Sequence, residues 1–120
     1  MNGDTQAATA SALRGRRCKP CEGGVPPLAP DVVEALRAAL DPAWTLSADG
    51  KWLTRQFSFH GFGRTMGFVN AVAWIAESEG HHPDLEVGYG RCVVKWSTHA
   101  VGGLTENDFI CAAKVDLLVD

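Results

Sequence analysis

Three of the four histidines, His81, His82 and His99, crowd into one stretch of the chain, with Glu77 one helical turn ahead of the first. Imidazole is the side chain that exchanges protons most readily near neutral pH, so the group suits general acid–base work. A metal is the rival use. Glu77, His81 and His99 carry the donor types of a catalytic zinc site with an open position. Adjacent histidines rarely turn both rings onto one ion, however, and the sequence has no His-Glu-x-x-His spacing. Loop histidines with no task are common, but three clustered titratable groups favour a site. Proton transfer by placed histidines is the leading reading.

For these rings to meet, the chain must double back between His82 and His99, and its patterning says how. Pro30 opens a helix with Val32, Ala35, Leu36, Ala39 and Leu40 as its apolar stripe, stopped by Pro42. Asp49-Gly50 marks a hairpin between Trp44 and Leu46 on one side and Trp52, Leu53, Phe57 and Phe59 on the other. A second helix runs from about Arg64 to Glu79, with Gly80 as its stop. Met66, Val69, Ala73 and Ala76 share one face, widened by Phe68, Val72 and Ile75, so the helix is apolar enough to be well buried. A second hairpin turns near Gly90, with Val87, Cys92, Val94 and Trp96 carrying the alternation. Its two ends hold His81–His82 and His99, which is how the rings converge. Thr105-Glu106-Asn107-Asp108 reads as a capping box opening a third helix, with Phe109, Ala112, Ala113 and Leu117 facing inward. The order α-β-β-α-β-β-α predicts an α+β fold: a four-stranded antiparallel sheet with helices packed on one face.

The rest of the composition narrows the function classes. A chain of 120 residues holds one domain. Seven basic residues against six acidic in residues 1–60, and four against eight in residues 61–120, leave no basic surface for a phosphate backbone. That speaks against direct nucleic-acid binding. No apolar run reaches the ~20 residues of a membrane helix, and the N-terminal stretch lacks a secretory signal. Four cysteines make no disulfide framework, so a reduced, cytoplasmic protein is expected. Residues 1–27 read as a flexible leader followed by a Cys-x-x-Cys loop, and residues 28–120 as the catalytic domain.

Glu77-Ser78-Glu79-Gly80-His81-His82-Pro83-Asp84, then Tyr89, then Trp96-Ser97-Thr98-His99, then Gly102-Gly103-Leu104-Thr105 and Asp108 resemble the pterin-4a-carbinolamine dehydratase family. Trp44, Arg55-Gln56-Phe57-Ser58-Phe59, Phe62, Met66 and Phe68 fit the same family in order, and the likeness covers about residues 28–118. The resemblance implies a hydro-lyase that expels water from a 4a-hydroxy-tetrahydropterin to give the quinonoid dihydropterin, in pterin recycling for aromatic amino-acid hydroxylation. It implies no metal and no further cofactor, since the pterin is the substrate. It gives His81 and His99 the proton transfers, and His82 a hold on the pterin. Glu77, Gly80, Ser97 and Thr98 would contribute to substrate binding. Asp108 belongs to the family pattern, but its place in Thr-x-x-Asp favours a structural cap with Thr105 over catalysis. The resemblance also implies a homodimer or homotetramer. It leaves two alternatives: a pterin-binding relative in molybdenum-cofactor metabolism, and a non-catalytic dimerisation or binding module.

Cys18-Lys19-Pro20-Cys21 invites a zinc or redox reading. Zinc wants four ligands, and Cys92 and Cys111 lie in separate buried-looking elements. A redox Cys-x-x-Cys usually opens a helix, whereas Glu22-Gly23-Gly24 and two prolines follow here. A structural loop with free thiols is the expectation, with Cys18 and Cys21 as a minor metal candidate.

Overall fold

The computed structural model describes residues 9–21 and 23–119. Period-two patterning builds a four-stranded antiparallel sheet of β1 (Thr45–Leu46), β2 (Leu53–Ser58), β3 (Asp84–Val87) and β4 (Arg91–Trp96), in the order β1-β2-β4-β3. The register pairs Leu53 with Trp96, Arg55 with Val94 and Phe57 with Cys92. Alternate residues share a face, so these six point to the same side, and Leu53, Phe57, Cys92, Val94 and Trp96 are buried there. The opposite face carries Thr54, Gln56, Ser58, Lys95 and Glu86, the last two joined by an ion pair of 2.9 Å. One face is thus apolar and takes the helices, which gives the expected α+β fold.

The helices are α1 (Ala10–Arg14), α2 (Pro30–Ala39), α3 (Phe62–Glu79) and α4 (Glu106–Asp116), with a 3₁₀ turn over His99–Val101. Among the described residues, no helix is long and apolar enough to cross a membrane.

Several inward faces differ from the expected ones. In α2 the buried stripe is Val33, Leu36 and the following Leu40, while Val32 is 41% exposed. The helix is rotated by about one residue from the predicted stripe, because Val33, Leu36 and Leu40 also satisfy helical spacing. In α3 the core face is Thr65, Phe68, Val72 and Ala76; Ala73 is exposed and Met66 half-buried. This helix is less buried than its composition suggests, since Phe62 and Trp74 stand in solvent. Val87 and Leu117 are likewise exposed, the first on edge strand β3 and the second where α4 ends.

The expected flexible leader differs more. Its first eight residues lie outside the described ones, but from Thr9 onward it is structured. The Thr9 hydroxyl accepts the Ala12 N–H at 3.0 Å and caps α1, whose Leu13 is completely buried in the core. α1 packs on α4, and α3 packs on the same helix. This flanking explains why α4 is buried nearly all round, from Asn107 to Ala113.

At the far end of α4, Asp116 accepts the Trp44 indole N–H and an Arg55 guanidinium N–H, each at 2.9 Å. Arg55 also lies over the Phe57 ring. The inward-facing charge of β2 is thereby paired rather than stranded, and strand, helix and pre-strand loop are tied together.

Candidate active site

α3 ends at a tight glycine turn. Gly80 takes φ +67°, its N–H donates to the Glu77 carbonyl, and the His81 N–H donates to the Ala76 carbonyl. These paired bonds close the helix and fix where His81 leaves it. A Cβ at Gly80 would meet nothing within 4 Å. The glycine is required by its backbone angle and not by crowding.

From that turn the His81 ring lies flat against Trp96 of β4, centroids 5.7 Å apart and planes 8° apart. Its Nε2 is 2.6 Å from Asp108 Oδ1. The other Asp108 oxygen accepts the Thr98 hydroxyl at 2.7 Å and the Thr105 N–H at 2.9 Å. Thr105 Oγ1 stands 2.9 Å from Thr98 Oγ1. The Thr98 proton goes to Asp108, so the Thr105 hydroxyl donates to Thr98 and the two form a relay. The Asp108 side chain is completely buried, and both of its oxygens are engaged. An ionised carboxylate can only accept, so opposite one the Nε2 of His81 carries the ring proton and Nδ1 the lone pair. The His81 side chain is 11% exposed, so the ring is largely covered.

Asp108 closes a capping box with Thr105 at the start of α4, as the sequence predicts. Its second task, the carboxylate partner of His81, is the one that sequence reasoning missed. Glu77, one helical turn ahead of His81 in the sequence, meets His82 instead, at 3.1 Å with both side chains exposed. Helical spacing places Glu77 near the end of α3, and the left-handed turn at Gly80 then sends the two imidazoles apart. A hint was present: Asp108 is an acid in a capping box that the chain must bury.

Ser97 and Thr98 are both buried at the end of β4. The Ser97 hydroxyl donates to the Lys51 carbonyl at 2.7 Å, which holds the first hairpin loop against β4. Thr98 serves Asp108. His99, next in the chain, opens the 3₁₀ turn, is exposed, and meets the Trp52 ring edge-on at 5.6 Å. Gly102, at φ +71°, ends that turn. Hollows of about 260 Å³ and about 340 Å³ flank it. Val101, Thr105 and Cys21 help line the first, and Gly103, Lys51 and Leu28 the second. The structure thus joins His81, Thr98, Thr105 and Asp108 into one network. Glu77 with His82 forms a separate exposed pair, and His99 stands one residue beyond the network.

The Cys-x-x-Cys sulfurs diverge. Cys18 Sγ lies 3.5 Å from Cys111 Sγ, whereas Cys21 Sγ receives the Asn107 amide at 3.0 Å. Among the described residues, no group of three or more His, Cys, Asp and Glu side chains is gathered as a metal cage.

The family model for pterin 4 alpha carbinolamine dehydratase matches residues 26–118. A relative from Nitrosomonas eutropha with the provisional name pterin-4-alpha-carbinolamine dehydratase is 57% identical over 107 residues, covering 89% of this chain and 93% of its own. One from Legionella pneumophila with the same provisional name is 51% identical over 111 residues, covering 92% and 98%. The crystal structure of a transcriptional coactivator/pterin dehydratase from Brucella melitensis superposes with a TM-score of 0.71 at 35% identity, over 78% of this chain and 99% of that one. A pterin dehydratase-like protein described as a RuBisCO assembly factor in the alpha-carboxysome gives 0.55 at 25% identity, over 63% and 88%. The matched stretch takes in both hairpins, the glycine turn and the helix that buries Asp108, and on that ground the chain belongs to the pterin-4a-carbinolamine dehydratase family.

Proposed function

We propose that this protein dehydrates 4a-hydroxy-tetrahydropterins to quinonoid dihydropterins by histidine acid–base catalysis, within tetrahydropterin recycling for aromatic amino-acid hydroxylation in the cytoplasm. The observation that carries this is the buried Asp108 held 2.6 Å from His81. The reaction expels the 4a-hydroxyl as water, removes the N5 proton and forms the C4a=N5 double bond. One group must give a proton to the departing oxygen and one must take the proton from N5.

His81 suits a proton transfer because Asp108 fixes its tautomer and stabilises the imidazolium that forms when Nδ1 accepts a proton. Stacking on Trp96 holds the ring in plane. His99, exposed on its 3₁₀ turn, is the second transfer group, and His82, paired with Glu77, helps hold the pterin. With Glu77, Gly80, Ser97 and Thr98 they form the substrate-binding set, in which the two buried hydroxyls act by holding the frame. Placed histidines supply both transfers, so the reaction needs no metal and no redox cofactor.

Stopped-flow dehydration of a synthetic 4a-hydroxy-tetrahydropterin, with a chelator present throughout, tests this directly. The wild type is expected to accelerate the reaction well above buffer. His81→Ala and His99→Ala are each expected to lose about 10²-fold or more. A wild type no faster than buffer sinks the proposal. It would favour a binding role, the reading drawn from the coactivator and assembly-factor descriptions of the two structural relatives.

A further inference from the structure

Residues 15–21 leave α1 as an extended strap across α4, and its two neighbours hold it on both sides. The Cys18 N–H donates to Glu79 Oε1 at 2.8 Å, at the end of α3. One residue on, the Lys19 N–H donates to Asn107 Oδ1 at 3.0 Å and the Lys19 carbonyl accepts the same amide at 2.7 Å. Asn107 is itself buried in α4. This double anchorage sets the half-buried Cys18 thiol over the buried Cys111, sulfur to sulfur at 3.5 Å, although 93 positions separate them. The vicinal partner suggested by sequence spacing, Cys21, is turned away to the Asn107 amide and the Thr105 hydroxyl. Neither Cys18 nor Cys111 has a task in the dehydration.

We propose that Cys18 and Cys111 form a two-electron redox site that closes reversibly to an intramolecular disulfide and staples the N-terminal strap to α4. A disulfide needs the sulfurs at about 2.05 Å, so they must approach by about 1.5 Å. A peroxide is the oxidant class. The Cys18 thiolate attacks one peroxide oxygen and the O–O bond breaks. The departing hydroxide takes the thiol proton as water, which leaves Cys18 as a sulfenic acid. The Cys111 sulfur then attacks the Cys18 sulfur, the S–O bond breaks, and hydroxide leaves with the Cys111 proton as a second water. Two thiols and one hydrogen peroxide give one disulfide and two waters. The order follows from access and charge: Cys18 is the more exposed, while the hydrogen bond with Cys18 and then burial push the Cys111 thiol up. A small thiol reverses the step by exchange. Such reversible bonds are the kind that redox-sensing proteins use.

The strap's anchors give the staple reach. Glu79 lies two residues before His81, and Asn107 lies next to Asp108. The covalent state of the strap thus bears on both elements that hold the histidine–carboxylate pair.

The test is mild hydrogen peroxide treatment of the native full chain, followed by digestion without reductant and peptide mass mapping. The expected product joins the Cys18 peptide to the Cys111 peptide with the loss of two hydrogens, within one chain. It forms equally in Cys21→Ser and disappears with dithiothreitol. The thermal midpoint of the oxidised protein is expected to rise by on the order of 10 °C, because the bond closes a long loop. A Cys18–Cys21 bond, bonds between chains, or a Cys18–Cys111 bond that forms only in denaturant would overturn the proposal. Because the readout is covalent, it stands or falls independently of the dehydratase assay.

Discussion

Asp108 ties His81 to Thr98 and to the start of α4, and its environment decides what its loss would do. Its two oxygens accept from His81, Thr98 and the Thr105 N–H, with no exposure to water. In Asp108→Asn one acceptor becomes an amide donor, facing either Thr98 or His81. If it faces His81, the ring must flip its tautomer and the lone pair leaves Nδ1. The expected result is a fall in kcat of about 10²-fold with KM changed far less, read by the stopped-flow assay. A parallel denaturation series separates this from the capping loss of ~1 kcal/mol. A kcat within twofold of wild type would remove Asp108 from the proton pathway. Glu79 is the other acid whose surroundings matter. Its burial alone would push its pKa up, but the Cys18 N–H, the Lys114 ammonium and the Arg17 guanidinium outweigh this and hold it below its ordinary value. A carboxyl lowered on folding contributes stability that is present above its unfolded value near 4.5 and lost as pH falls through the folded value. Urea midpoints of wild type and Glu79→Gln should therefore differ most above pH 5 (a rough bound from that linkage) and converge in stronger acid. A gap independent of pH would mean that the carboxylate charge contributes nothing there.

At the scale of elements, α1 and its strap act as the missing wall of α4. An amphipathic helix needs one covered face, but α4 is apolar or small through Phe109, Ile110, Cys111, Ala112 and Ala113 and must be covered on several. α3 covers part of it, and α1, through the buried Leu13, covers another part. Arg16 pairs with Glu106 and Arg17 with Glu79, so the start of the strap is tied to both α4 and α3. Leu13→Ala is expected to destabilise the protein by about 2–5 kcal/mol, the range for truncating a fully buried leucine. Guanidinium unfolding measures it. A loss below ~0.5 kcal/mol would mark the helix as surface decoration, since surface changes fall in that range.

For the whole molecule, the exposed apolar side chains have a direction. Trp74 is 73% exposed and Phe62 52%, both on α3, while Val87 is bare on edge strand β3. Large exposed aromatics and an open strand edge suit association with further copies. We infer a homodimer or homotetramer, and light scattering on the purified chain should give two or four times the monomer mass. Trp74→Lys should shift that equilibrium toward smaller species if α3 is the contact, and leave it unchanged if only the sheet edge is used.

The sequence by itself determined the elements from α2 onward and part of what they bury. Alternation in Cys92, Val94 and Trp96, the Asp49-Gly50 turn, Pro30 at the head of α2 and Gly80 at the end of α3 are local rules, each satisfied by a residue and its near neighbours. The capping box of Thr105 and Asp108 was legible for the same reason. Rotations of one residue about a helix axis were not, because Val32 and Val33 fit the same period until a sheet chooses between them. The wiring of the candidate residues was not legible. Which carboxylate serves which imidazole depends on the left-handed turn at Gly80, which carries His81 toward α4 and leaves His82 with Glu77. The order of α1 was not legible because polar composition says that a segment gains little by itself, while Leu13 gains its burial from a helix some ninety positions away in sequence. Cys18 likewise found Cys111 and not Cys21. Local chemistry sets what each residue can do. Contacts between distant segments, which no spacing encodes, decided what His81, Leu13 and Cys18 actually meet.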